Sequence, residues 1–318
     1  MTTRRNLLAL LFAAATVMPA AAADPSMWNL VMPDARIMIG MDVTRVVSSP
    51  LGQKFLSQLN LESGDFKKFM DSTGFDPRRD LREVLVASTG GATHQGSLVI
   101  VRGVFDEAKI SALLSVSGQA AAGTHQGVKI LSSGKDNGSV GFLSSSMLVG
   151  GTLDEVKAAI DRQQSGATLD ASIASRIQSS ASRYEAWLIS TASPSSFTRI
   201  PGPNPGNMMR ADLFQAVESF SGGLHLSGDI VDLDAEAVTR SEKDASALVD
   251  VFKFLVQVVG SNQPPDSPMG KMFDSMKSSV EGRTAKLSFS APSSEILKLF
   301  EAAPRKQAVK VQAVSIRH

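Results

Sequence analysis

Glu83-Val-Leu-Val-Ala-Ser-Thr-Gly-Gly-Ala-Thr-His-Gln-Gly-Ser-Leu-Val-Ile-Val-Arg-Gly103 is the stretch on which the fold class turns. Two β-rich runs, Glu83–Ser88 and Ser97–Gly103, flank a glycine-bearing turn too short for a helical crossover, so they read as an antiparallel pair. Asp106 then caps a helix that the apolar spacing carries through Val116. A strand pair followed by a helix is the signature of an α+β fold, in contrast to the strand–helix alternation of a doubly wound α/β protein.

The pattern extends in both directions. Upstream, Arg36–Met41 reads as a strand, Leu51, Phe55, Leu56 and Leu59 as a helical stripe behind Pro50, and Phe66, Phe69 and Met70 as a second stripe stopped at Gly74. Downstream, Val128–Ser132, Ser139–Leu143 and Met147–Val149 read as strands. Thr152-Leu-Asp-Glu155 is a capping box opening a helix to Gln163. The second half offers strands at Ala186–Thr191, Gly223–Ser227, Ile230–Thr239 and Ala285–Ser290. Its helices are expected at Glu242–Val259, around Met269–Ser278, and from Pro292 to Ala302. The width of the apolar stripe over Glu242–Val259 predicts burial on nearly all sides. Pro201-Gly-Pro-Asn-Pro-Gly206 and Gln263-Pro-Pro-Asp-Ser-Pro268 are loops, since proline at that density sustains neither helix nor ladder.

Parts of the second half echo the first in the same order. Asp106–Val116 aligns without gaps on Ser241–Val251, with five of eleven positions identical. Ser139–Asp161 lies over Ser279–Glu301 at a constant offset of 140, which matches Glu155 to Glu295 and sets Val156 against Ile296. The expected architecture is therefore α+β in two related halves, each mainly antiparallel sheet with packed amphipathic helices. The expected organisation is a signal peptide over 1–23, a first half over 24–166, a second half over 167–303 and a basic tail over 304–318 with Arg305, Lys306, Lys310 and Arg317. The same reading makes the seam between the halves the expected cleft.

The first 23 residues carry the three parts of a secretory signal. These are Arg4 and Arg5, an apolar run from Leu7 to Met18, and small residues at Ala21 and Ala23 that place cleavage before Asp24. Thr3-Arg-Arg-Asn-Leu-Leu8 also approaches the twin-arginine pattern. The expected location is the periplasm or the exterior. The chain has no cysteine, which excludes a disulfide framework, a thiolate nucleophile and a cysteine-linked lipid anchor. Loss of Arg4 and Arg5 brings the 32 basic residues to 30 against 31 acidic ones, a balance with no electrostatic footprint for nucleic acid.

No metalloprotease helix, P-loop, dinucleotide fingerprint or nucleophile elbow occurs, and there are only four histidines and one tyrosine. Thr93-His-Gln-Gly96 and Thr124-His-Gln-Gly127 each lead into an apolar strand, which makes His94 and His125 candidate ligand-binding residues at one end of a sheet. Two histidines are half of a zinc site, so no metal is expected, and the pair also suits polar turns bent by glycine. Asp232, Asp234 and Glu236 share one face of a strand, a row that fits calcium or an acid–base pair but equally a solvated strand face. Ser132-Ser-Gly-Lys135 has the serine–lysine spacing of penicillin-binding enzymes without the partner motifs, and it sits in a turn.

Met32-Pro-Asp-Ala-Arg-Ile-Met-Ile-Gly-Met-Asp42, Ser48-Ser-Pro-Leu-Gly-Gln53 and Gly74-Phe-Asp-Pro-Arg-Arg-Asp-Leu-Arg-Glu-Val84 resemble a set of exported bacterial proteins of unassigned function. The resemblance lies mainly in residues 32–90 and speaks for fold; it implies no catalytic residue. The sequence thus predicts an exported, non-enzymatic interaction or binding module with an envelope or extracellular partner. No cofactor, nucleic acid, transmembrane anchor or lipid anchor is expected. Two alternatives stand beside it. One is a periplasmic hydrolase-type enzyme with its site between the halves. The other is a carrier of a hydrophobic ligand using methionine-rich surfaces such as Met208-Met209 and Met269–Met276. A polar cleft with perturbed carboxylates favours the enzyme and an apolar cavity the carrier.

Overall fold

A computed structural model of the chain describes residues 25–58, 64–90, 96–116, 121–133, 138–192, 215–260 and 267–302. The signal over 1–23, the tail over 304–318, the loop at 201–206, Met208-Met209 and His94 lie outside these residues. The α+β class is correct. Twelve strands form one antiparallel sheet, with eleven helices among the described residues.

The chain enters through α1 (Pro25–Trp28) and β1 (Ile37–Asp42), then runs through α2 (Val43–Ser48), α3 (Pro50–Gln58), α4 (Gly64–Thr73) and α5 (Pro77–Asp80). Next come β2 (Leu81–Ser88), β3 (Ser97–Gly103) and α6 (Glu107–Val116). These are followed by β4 (Ala121–His125), β5 (Val128–Ser132), β6 (Gly138–Ser144), β7 (Met147–Thr152) and α7 (Leu153–Ser165). The rest is α8 (Ala171–Arg183), β8 (Ala186–Ser190), β9 (Val217–Ser227), β10 (Ile230–Thr239), α9 (Glu242–Gly260), α10 (Pro268–Ser275), β11 (Lys277–Glu281), β12 (Thr284–Pro292) and α11 (Ser293–Ala302).

In space the strands run β11-β12-β10-β9-β8-β1-β2-β3-β7-β6-β5-β4. Read outward from the β1/β8 pair, each side gives three strands in chain order and then a helix, α6 or α9. A hairpin follows whose later strand pairs inward, and last comes a closing helix, α7 or α11. The first side adds the β4–β5 hairpin at its edge. Val156 is fully buried, whereas Ile296 at the aligned position is half-buried. The two sides meet along a ladder, Ile37↔Ser190 to Met41↔Ala186, and not as stacked layers. Such a ladder satisfies the backbone groups of two strands that would otherwise be open edges.

Alternation sets the faces. Leu85 and Ala87 of β2 stand opposite Ile100 and Leu98 of β3, and all four are buried on one side with Met38 and Val149. Val156 and Ile160 of α7, Ile177 and Ala181 of α8, and Trp28, Leu30 and Val31 cover them. On the other side Phe105, Ile110, Leu131 and Phe142 pack with Phe69 and Phe75 from α4 and the turn after it. Phe69 meets Phe75 edge-on at 6.1 Å, and Phe75 stacks on Phe105 at 5.8 Å. A smaller core joins Ala245 and Val249 of α9 to Ala285 of β12.

Helix α9 departs from the expectation of near-complete burial. Among its described side chains only Ala245 and Val249 are buried, and Phe254 and Val258 are 61% and 43% exposed. The helix lies flat on β10, β11 and β12, so one stripe meets the sheet and the opposite one faces outward. No helix among the described residues is long and apolar enough to cross a membrane.

Candidate functional site

The most distinctive concavity is an apolar groove over the middle of the sheet, at the β1/β8 pair. Its construction starts at Asp42, whose side chain accepts a hydrogen bond from the Arg45 backbone N–H at 2.9 Å and so caps α2 at the last residue of β1. Ser49 caps the turn into α3, accepting from the Gly52 N–H at 3.0 Å. Gly52 is required where the two helices meet: a Cβ there would lie 1.8 Å from the Val46 carbonyl oxygen. This tight corner lays Leu51 and Phe55 of α3 beside Val46 as one wall, with Leu297 of α11 on the opposite wall. The floor is Met41 of β1, Ala186 of β8, and Leu224 and Leu226 of β9. Among the described residues no polar side chain lines the groove, which encloses about 130 Å³. Of the lining residues Phe55 and Met41 are 52% and 41% exposed.

Beneath the sheet end lies a polar node. Glu185, only 3% exposed, pairs with the Arg45 guanidinium, accepts the Leu226 N–H at 2.6 Å on Oε2, and has His225 Nδ1 at 3.3 Å from the same oxygen. The backbone fixes the carboxylate there. The Glu185 N–H donates to the Leu224 carbonyl at 2.9 Å, and the Glu185 carbonyl accepts from Asp42 at 2.8 Å. The node therefore ties α2, β1, β8 and β9 together at one end of the groove. Two strands neighbouring β8 carry glycine to make room for rings, Gly40 of β1 for Trp187 and Gly223 of β9 for Tyr184. A Cβ at Gly40 would lie 2.2 Å from the indole, and one at Gly223 would lie 2.2 Å from the Tyr184 ring.

Of the candidate pair His94 and His125, only His125 is among the described residues. His125 ends β4, and Gln126 and Gly127 both have positive φ, 51° and 79°, in a two-residue hairpin turn. Its Nε2 lies 2.7 Å from Asp161 Oδ1 on α7, so the turn is pinned to a helix. No group of three or more His, Asp or Glu among the described residues is placed to hold a metal. In the acidic row, Asp234 accepts from Arg183 at 2.7 Å and from the Tyr184 hydroxyl at 3.2 Å, and Glu236 lies 3.9 Å from Lys286. Ser132 Oγ is hydrogen-bonded to Ser139 Oγ at 2.9 Å across neighbouring strands. The Gly74–Val84 motif is a structural turn. Asp76 caps α5, and Asp80, held below the usual carboxylate range first by the hydrogen bond from Arg79, accepts the Asp76 N–H at 2.7 Å.

Sequence reasoning missed the groove, because its lining comes from four separate regions of the chain. Two local signals were legible: the Leu51/Phe55 stripe and the alternation Leu224-His225-Leu226. The Arg45–Glu185–His225 node had none, since its members are 140 and 40 residues apart.

No protein-family model matches this sequence, and no curated protein sequence shows a significant match. Among solved structures the fold is similar to TP0453 in three crystal forms. Form IV aligns with a TM-score of 0.52 at 12% identity over 88% of this chain and 97% of that one. Form III gives 0.53 at 12% over 87% and 97%, and form I gives 0.50 at 12% over 88% and 98%. The likeness extends to nearly the whole of both chains and concerns the fold.

Proposed function

We propose that this chain is an exported, non-enzymatic binding module whose ligand carries an aliphatic segment, held in the groove between α3 and α11. The observation that carries this reading is the lining: Val46, Leu51, Phe55, Leu224, Leu226 and Leu297 offer no hydrogen-bonding side chain, while Met41 and Phe55 remain open to solvent. Apolar cavities of roughly 150 Å³ stay dry and take small apolar ligands, because water there has no polar partner. At about 130 Å³ the groove suits the end of a single alkyl chain and not a whole lipid. Met41 adds an adaptable, polarisable contact, the property that the methionine-rich carrier alternative called for at other positions.

The same reading takes 24–166 and 167–303 as two related halves. Support comes from the matching element order outward from β1 and β8, and from where the aligned segments fall. Residues 106–116 and 241–251 lie on α6 and α9, while 139–161 and 279–301 span hairpin and helix on both sides. The groove then sits where the halves join. A signal peptide over 1–23, cleaved before Asp24, places the module in the periplasm or outside the cell.

Titration of the full chain with a fluorescent fatty acid such as cis-parinaric acid tests the site. Saturable one-site binding is expected. Leu297→Trp, which fills the groove, should weaken it by at least about tenfold, worth roughly 1.4 kcal/mol, while Leu297→Met should retain it. Absence of saturable binding, or equal affinity in the tryptophan variant, overturns the reading.

A further inference from the structure

We propose that the cleft beneath α8, on the opposite side of the sheet from the groove, is a second binding site that takes the oxyanion of a small solute, with Arg176 as its anchor. Arg176, Ser179, Ser180 and Arg183 follow one another at helical spacing, so α8 turns all four toward the same cleft. The neighbouring stripe of the helix, Ile173, Ile177 and Ala181, packs into the main core and fixes the rotation of α8. The facing wall is Ser221 and Gly222 of β9 and Glu236 of β10, and the space between is about 230 Å³.

The charges in this cleft are unequally satisfied. Arg183 is held by Asp234 at 2.7 Å and lies 5.0 Å over the Tyr184 ring, and Glu236 is within 3.9 Å of Lys286. Arg176 has no acidic partner among the described residues, although its side chain is half removed from water. Its pKa is lowered from the ordinary guanidinium value, and burial is the cause. A cation kept this way destabilises the chain until an anion pairs with it. The planar guanidinium presents parallel N–H groups that match a carboxylate or phosphate in two-point fashion, and the serine hydroxyls on the same helix face supply further donors. Glu236 on the opposite wall disfavours a second negative charge. The solute therefore carries one acid group at Arg176 and neutral or donor groups toward β10. The size of the cleft limits it to a small molecule and, with Glu236, excludes a polyanion.

The test uses the full chain, titrated at constant ionic strength with inorganic phosphate, glycerol 1-phosphate or acetate against chloride, with Tm as the readout. At least one oxyanion should raise Tm saturably by about 2–4 °C over chloride. Arg176→Gln should abolish that rise without lowering the ligand-free Tm, because it removes an uncompensated cation. Arg176→Lys, which keeps charge but loses the fork, should weaken the response about tenfold. If Arg176→Gln does not fold, Ser180→Ala with Ser221→Ala serves instead and should weaken the response. A stronger effect from glycerol 1-phosphate than from phosphate assigns a phosphate carried on an organic solute. Equal effects assign the free ion, and a response to acetate alone assigns a carboxylate. No saturable rise in the wild type, or an undiminished rise in the substituted chain, overturns the proposal.

Discussion

Tyr184 lies between α8 and β8, its ring over Gly223 and its hydroxyl donating to Asp234 Oδ2 at 3.2 Å. Burial first, and then the negative charge of Asp234, push its phenol up to about 12 from an ordinary 10.0. The folded chain therefore holds this proton more tightly than the unfolded chain does. The resulting stability is fully present below the unfolded value. It is lost as pH rises between about 10 and about 12, where the unfolded state releases the proton first. Because Tyr184 is the one tyrosine in the chain, ultraviolet absorbance of the phenolate reports it without ambiguity. The expected midpoint in the folded protein lies near 12. A midpoint at the ordinary tyrosine value would show that the ring is not enclosed as described. Tyr184→Phe should flatten the alkaline fall in stability.

At the scale of elements, α7 and α9 show how differently two helices use their apolar residues. In α7 the Thr152 side chain accepts from the Glu155 N–H at 3.3 Å, Gly166 closes the helix with φ 64°, and Val156, Ala159 and Ile160 are all buried. In α9 burial is confined to Ala245 and Val249 among the described side chains, and Phe254 points outward. Val249→Ala should accordingly cost about 2 kcal/mol of stability, whereas Phe254→Ser should stay within about 0.5 kcal/mol. Urea denaturation of the two variants distinguishes them, and a larger loss from Phe254→Ser would mean that the outer stripe is covered. Caps, turns and alternating strands were legible because each is a local signal. Asp106 does cap α6, accepting the Lys109 N–H at 3.0 Å, and β5 and β10 fall at their expected ends. Helix α8 was not legible: its serines suggest loop, and its Ile173, Ile177 and Ala181 become a stripe only when a core exists for them to face. For α9, periodicity gave the width of the apolar stripe but not how many layers would cover it.

At the scale of the molecule, the β1–β8 ladder joins residues 37–41 to residues 186–190 in the middle of the sheet. Helix α8 follows the expected boundary at 166/167, yet its Ile177 and Ala181 complete the core around Trp28, Leu30 and Met38, which precede it. Arg45, before that boundary, neutralises Glu185, after it, which is otherwise a carboxylate in a buried position. The groove draws on both sides of that expected boundary, since Met41, Val46, Leu51 and Phe55 precede it and Ala186, Leu224, Leu226 and Leu297 follow it. This is why the site could not be seen along the sequence: its chemistry appears only when β1, β8 and β9 lie side by side. The expected boundary at 166/167 therefore should not mean independent folding on either side of it. The full chain is expected to unfold in one cooperative transition, with far-ultraviolet circular dichroism and tryptophan fluorescence from Trp28 and Trp187 coincident, since both indoles lie in the shared core. Fragments 24–166 and 167–318 expressed alone should lack a cooperative transition, the first for want of α8 and the second for want of the β1 ladder. Produced together, they should co-purify in equal amounts and regain the transition, because the ladder and the Arg45–Glu185 pair are contacts between them and do not require an unbroken chain. Two separate transitions in the full chain, or a first fragment that folds cooperatively on its own, would show that the stretches on either side of residue 166 fold autonomously.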